Sequence, residues 1–281
     1  MHRSSQGLGF IRSGMLAAAL LLAGAGQAQS PAPADPWPNT GTEVDVALVL
    51  AVDISYSMDL EEQSLQREGY IAALTSPIVI EAIRKGMIGK IAVTYLEWAG
   101  VATRNVVADW HIIEDARSAR AFADKLQAAP ILRARRTSIT GAIDRSMELL
   151  REAKLRPLRR VIDISGDGPN NEGGPVTVSR ERALGSGVVI NGLPIILKRG
   201  FTSAYDVDKL DEYYADCVIG GPGSFMVVIT EREQFPVAIR TKILREVAQA
   251  TLSDAPSGPG RPGRTDCMLG ERQWRQNWDR N

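Results

Sequence analysis

An aspartate and two serines alternate at Asp53, Ser55 and Ser57, directly after an apolar run from Val46 to Val52. The run has the composition of a strand buried on both faces. In extended or loop backbone, residues i, i+2 and i+4 project to one side, so a carboxylate and two hydroxyls converge where the strand ends. Oxygen donors of this kind suit the hard cations Mg2+, Mn2+ or Ca2+; the motif lacks the thiolates and imidazoles usual around zinc and copper. Taken alone, it is equally compatible with a helix N-cap and a serine turn. Two other segments favour the cation. Thr137 opens a helix in Arg136-Thr137-Ser138-Ile139-Thr140-Gly141, and Asp167 follows a strand in Ser165-Gly166-Asp167-Gly168-Pro169-Asn170-Asn171.

These residues need elements that bring them together. The sequence from Glu43 to Leu252 alternates strand-like and helix-like segments, the pattern of a doubly wound, mostly parallel α/β sheet flanked by helices on both faces. The expected order begins with strand Val44–Val52, helix Leu60–Leu74, strand Lys90–Trp98, an extended piece Val106–Ile113 and helix Arg117–Ala128. It continues with the helix after Thr137, strand Arg160–Ser165, helix Val176–Gly187 and strand Val188–Leu197. Leu210, Tyr213, Tyr214 and Cys217 mark one apolar helix face; strand Phe225–Ile229 and a helix bearing Ile239, Ile243, Val247 and Ala250 complete the domain. In an open parallel sheet the three motif loops all leave the carboxyl ends of strands, where such folds place their ligands.

The combination of Asp53-x-Ser55-x-Ser57 with Thr137 and Asp167, in that order and spacing, resembles the metal-ion-dependent adhesion site of von Willebrand factor type A (VWA) domains. The likeness covers residues 43–252 and implies a Rossmann-like fold. It also implies Ser55, Ser57 and Thr137 as direct ligands, with Asp53 and Asp167 acting through water or hydrogen bonds. Two departures from the family pattern stand out. Gly166 replaces the threonine of a Thr-Asp-Gly loop, leaving Ser165 as a possible hydroxyl source, and the Thr-Ser-Ile-Thr-Gly loop lets Ser138 or Thr140 share the role of Thr137. The style of the Ile162–Asn171 and Ile219–Gly223 segments resembles a secreted bacterial branch of the superfamily of unknown function. Three neutral hydroxyls and two indirect carboxylates leave a divalent ion one ligand short. An Asp or Glu carboxylate of a partner protein is the expected sixth donor, with Tyr56, Met58, Arg135, Arg136, Asn170, Asn171 and Glu172 around it. The competing readings are an Mg2+-dependent phosphohydrolase with Asp53 as nucleophile and a scaffold whose ion is structural. The phosphohydrolase pattern calls for a second Asp where Ser55 stands, and His111, the one histidine beyond the leader, lies in an extended piece away from the motif.

Composition sets the surroundings. Residues 1–28, with Arg3 and Arg12, an apolar core from Met15 to Leu22 and small residues before Ala28, read as a secretory signal cleaved near Ala28. Residues 29–42 read as a flexible lead-in and 253–281 as a Pro/Gly-rich tail. No later segment is apolar enough to span a bilayer, so a periplasmic or extracellular protein is expected. The 33 basic residues balance 33 acidic ones, and losing Arg3 and Arg12 with the leader tips the remainder towards acid, which argues against a nucleic-acid partner. In an oxidising compartment Cys217 and Cys267, the only cysteines, are expected to bridge, stabilising by about 2–4 kcal/mol. Asp163 lies four residues before Asp167 on a strand, roughly 13 Å away, and reads as a paired core carboxylate rather than a ligand.

Overall fold

A computed structural model describes Trp37 and residues 40–197, 209–248 and 265–278. The leader lies outside these residues, as does most of the lead-in and the Pro/Gly-rich run after Ser253. The apolar run becomes β1 (Thr42–Asp53), the middle strand of a five-stranded sheet ordered β3-β2-β1-β4-β5. The other strands are β2 (Ile91–Trp98), β3 (Arg104–Ile113), β4 (Leu155–Gly166) and β5 (Val188–Pro194). β1 runs parallel to β2 and β4, and β4 to β5; β3 alone is antiparallel, against β2.

Why β1 carries no polar side between Val46 and Val52 follows from the two cores it serves. Leu48, Leu50 and Val52 face a cluster built with α1 (Leu60–Leu74), α2 (Pro77–Arg84), α3 (Ala116–Ala128) and α7 (Phe235–Ala248), where Tyr70, Ile83, Phe122 and Ile239 are fully buried. Ala47, Val49 and Ala51 face the other cluster, with Ile143 and Met147 of α4 (Ile139–Glu152), Ala183 of α5 (Val176–Gly185) and Tyr213 of α6 (Leu210–Tyr213). Period-two alternation thus sorts small residues to one face and large ones to the other. Each fully buried Leu or Val contributes about 1.5–3 kcal/mol. α6 continues without a break into a π-helical turn, Tyr214–Val218.

Several features depart from the expected elements. α2 has no counterpart among the expected elements. Its Pro77 sits at the first helical position, where a missing N–H costs nothing. The expected strand at Phe225–Ile229 is present only as isolated bridges, Met226 to Gly192 and Ile229 to Ile195, which cover the outer edge of β5. Gly192 permits this approach, because a Cβ there would lie 2.8 Å from the Tyr214 ring and 2.9 Å from Ile219. The segment expected as a Pro/Gly-rich tail carries a helix, α8 (Leu269–Trp278). Trp37 is buried, its indole donating to Ser186 O at 2.8 Å under the Arg160 guanidinium.

Asp163 is fully buried on β4 and forms an ion pair with Lys242 of α7 at 3.0 Å; Lys242 also reaches Glu246 at 3.0 Å. Asn191 donates to both Glu246 oxygens at 2.9 and 2.8 Å. This cluster ties α7 to the sheet through β4, whereas Asp167 lies in the loop after that strand.

Candidate metal centre

The strand order reverses at β1, whose neighbours β2 and β4 are reached by connections leaving in opposite directions. Loops at the carboxyl ends of β1 and β4 therefore border one crevice. The third loop enters between α3 and α4 and is stitched to the first: Tyr56 N donates to Ala134 O at 2.9 Å and Ala134 N to Ile54 O at 2.9 Å. It is tied to the residue after β2 as well, by Ser138 N donating to Ala99 O at 2.7 Å.

Asp53 lies at the floor, fully buried. Its Oδ1 accepts the Ser55 backbone N–H at 2.7 Å, which folds the Asp-x-Ser turn. The Ser55 and Ser57 hydroxyls are 2.7 Å apart, and Ser57 Oγ donates to Asp167 Oδ1 at 2.6 Å. Two loops separated by more than a hundred residues are thus joined by one chain of hydroxyls and carboxylate, deep at Asp53 and Ser55 and open at Ser57. Thr137 joins from the third side: a Cβ on Gly168, beside Asp167, would lie 3.9 Å from Thr137 Oγ1. The Thr137 backbone is held on both sides by Asn171, which accepts its N–H through Oδ1 at 3.0 Å and donates its own N–H to Thr137 O at 2.8 Å.

Ser138 and Thr140 are occupied elsewhere. Ser138 caps α4, accepting from Gly141 N at 3.1 Å and donating to Glu172 O at 3.0 Å. Thr140 donates to Gly174 O at 2.9 Å. Ser165 faces Gln66, whose Nε2 reaches its hydroxyl at 2.8 Å. The hydroxyl beside Gly166 is supplied instead by Tyr214: a Cβ on Gly166 would lie 3.0 Å from both Tyr214 Oη and Asp53 Oδ2. Both of these atoms are buried without a hydrogen-bond partner. Nothing in the sequence announces this, because Tyr214 arrives on the π-helical turn of a distant segment.

Burial, and then the nearby Asp167 carboxylate, push the Asp53 carboxyl well above the usual carboxylate range; the hydrogen bonding from Ser55 only partly opposes them. A cation would reverse that balance, and the orphaned Asp53 oxygen is the kind of buried acceptor that calls for one. Among the described residues no three His, Cys, Asp or Glu side chains gather as a metal-binding group. The donor set is instead two carboxylates with hydroxyls, chemistry that fits Mg2+, Mn2+ or Ca2+.

The rim divides in two. Tyr56 is 53% exposed, with the Arg133 guanidinium 4.9 Å over its ring, and Arg135 is exposed. Arg136, Asn171 and Glu172 are half-buried, and Glu172 accepts Val101 N at 2.8 Å. Met58 and Asn170 are fully buried, so these two expected partner contacts are placed inside the protein instead. Met58 belongs to the α1-side core, and the Asn170 carboxamide accepts from Thr140 N at 3.0 Å. Among the described residues Arg136 is the one non-glycine with positive φ, at 76°, immediately before Thr137. Such backbone costs about 1–2 kcal/mol and persists only where the surroundings impose it.

Residues 43–251 match the family model described as "Protein of unknown function (DUF1194)". The chain belongs to the DUF1194 family. A comparison with curated proteins finds no match for this DUF1194 chain. Among solved structures it is similar to proximal thread matrix protein 1 of the mussel byssus, described with a zinc-occupied MIDAS motif, at TM-score 0.54 and 11% identity. That match covers 74% of this chain and 49% of the mussel chain. The pilus adhesin SpaC of Lactobacillus rhamnosus GG gives TM-score 0.54 at 13% identity, over 75% of this chain and 31% of the adhesin. A von Willebrand factor type A protein of Catenulispora acidiphila gives 0.46 at 12% identity, covering 74% and 43%. The DUF1194 chain thus spans half or less of the length of these relatives. What the mussel protein and the adhesin share with it is the fold, and it is the VWA fold.

Proposed function

We propose that this chain is an exported, cation-dependent protein-binding module. A divalent ion, Mg2+ with Mn2+ or Ca2+ as alternatives, is held by Ser55, Ser57 and Thr137, with Asp53 and Asp167 compensating its charge from behind. The ion supplies a Lewis-acidic position for an Asp or Glu carboxylate of a partner protein. Tyr56, Arg135, Arg136, Asn171 and Glu172 form the rim that such a partner meets, and its arginines favour an acidic approach. The observation that carries this reading is the Ser55–Ser57–Asp167 chain standing over an Asp53 oxygen that has no partner. The fold relatives support it at a coarse level, being a matrix protein and a pilus adhesin. The Cys217–Cys267 bridge suits a periplasmic or extracellular location.

Titration calorimetry with Mg2+, Mn2+, Ca2+ and Zn2+ on the wild type and on Asp53→Ala tests the ion; zinc belongs in the series because of the mussel relative. Equal binding by both proteins removes the site. Capture of partners from a periplasmic extract, with and without chelator, tests the carboxylate: the bound partner must be released by chelator and by substitution of its own Asp or Glu.

A further inference from the structure

α8 lies beyond the residues that match the family model, yet it is packed against two of the three loops of the metal centre. Cys217, fully buried on the π-helical turn, is bonded to Cys267 just before the helix, and Thr265 N donates to Asp216 Oδ2 at 3.1 Å. From this anchor the helix reaches both loops. Glu271 Oε1 accepts from Asn170 Nδ2 at 2.7 Å, taking one of the two donors of a carboxamide whose other donor goes to Gly174 O at 2.9 Å. Gly270 sits so close to the Asn170 carbonyl that a Cβ would fall 2.1 Å from it. Trp274 stacks on Arg136, with the guanidinium carbon 3.4 Å from the ring centroid.

Each contact falls on a residue with a structural reason to need it. Arg136 holds a left-handed backbone directly before Thr137, a conformation that must be imposed from outside. Cation–π stacking on a tryptophan, the most favourable of the aromatic faces, supplies such an imposition. Asn170 is fully buried three residues after Asp167, and its amide donors have no water to turn to if a partner leaves.

We propose that α8 is a positioning element of the metal centre. Trp274 holds the Thr137 loop, Glu271 holds the Asp167 loop, and the disulfide fixes both to the domain, so the helix sets the affinity for the cation. The affinity half of this rests on the cation reading given above; the loop-holding half does not.

The test uses the full oxidised chain, with Mg2+ and Mn2+ calorimetry alongside hydrogen exchange of the amides of residues 134–138 and 165–172 in chelator. Trp274→Ala is expected to raise Kd roughly threefold and Glu271→Ala roughly tenfold, each speeding exchange in its own loop. Trp274→Phe and Glu271→Gln keep a ring face and an acceptor, and are expected to return Kd to within about twofold of wild type. Cys267→Ala frees the helix and is expected to weaken binding at least as much as Trp274→Ala and Glu271→Ala combined. Unchanged Kd and exchange in the alanine variants overturn the proposal. Equal losses in the conservative and alanine variants overturn it too, since they indicate a general loss of folding. If the wild type binds neither ion, the cation reading and the affinity half fall together. Exchange then decides the rest: faster exchange in each loop upholds the holding role, and unchanged exchange rejects it.

Discussion

Replacing Asp53 by asparagine separates two consequences of one carboxylate. The side chain is fully buried, one oxygen accepts from Ser55 N, the other has no partner, and Asp167 faces it across the serines. In chelator the fold therefore carries a buried acid that is costly either as a poorly hydrated anion or as a carboxyl protonated above its ordinary range, and the effective penalty for such a group is several kcal/mol. Asparagine keeps the acceptor that Ser55 needs. It also puts a neutral donor beside the Tyr214 hydroxyl, which can accept from it. Part of the penalty remains as the cost of a buried amide, so Asp53→Asn is expected to be about 1–2 kcal/mol more stable than wild type in chelator, roughly 2–8 °C in Tm for a domain of this size. Added cation reverses the order. At a free ion concentration about 100 times Kd the wild type gains about 2.7 kcal/mol, and the variant gains little. Thermal melts in chelator and across an Mg2+ series read both effects. A variant less stable than wild type in chelator refutes the buried-charge argument, and an equal gain from Mg2+ refutes the role of Asp53 at the ion.

Lys242→Met leaves Asp163 and Glu246 buried without their ammonium and is expected to cost about 3–5 kcal/mol in urea unfolding. Burial pushes the Asp163 carboxyl from 3.8 up to about 7, against the opposing pull of Lys242, so the folded chain holds that proton more tightly than the unfolded one. Its contribution to stability is complete below about pH 3.8 and is lost as pH rises through about 7. The stability of wild type relative to Asp163→Asn is accordingly expected to fall between about pH 3.8 and about 7 and to level off above that, and a flat difference across that window rejects the assignment. Asp45 accepts from Ile88, Gly89 and Lys90 N at 2.9, 2.8 and 3.2 Å, fixing the turn into β2. Asp45→Ala is expected to cost about 2–4 kcal/mol, again by urea unfolding, while leaving cation affinity unchanged.

Where the sequence spoke clearly, the signal was local and the burial two-sided. The run into Asp53 reads as a strand because every residue from Val46 to Val52 meets one core or the other. α1 is legible to the residue because Asp59 and Glu62 form a capping box around its first turn. The convergence of Ser57 on Asp167 follows from parallel topology, since both motifs end neighbouring strands. Three features had no such signal. The antiparallel direction of β3 is a matter of how the chain returns. α8 follows a Pro/Gly-rich stretch, and its docking depends on one disulfide, one glycine and one stacked tryptophan rather than an apolar stripe. The π-helical turn that delivers Tyr214 to Asp53 keeps the spacing of an ordinary amphipathic helix; the extra residue per turn is set by the fit against β5 and Gly192, which only the folded chain defines.

The pairing of Asp163 with Lys242 also fixes an order of assembly. A chain emerging from its amino end completes all five strands before it makes the lysine, and until α7 arrives the carboxylate lacks the ammonium that pairs with it. An unpaired carboxylate opposes burial of this stretch of β4 in the half-made domain. Docking of α7 brings the counter-charge in the same step that completes the burial of Asp163.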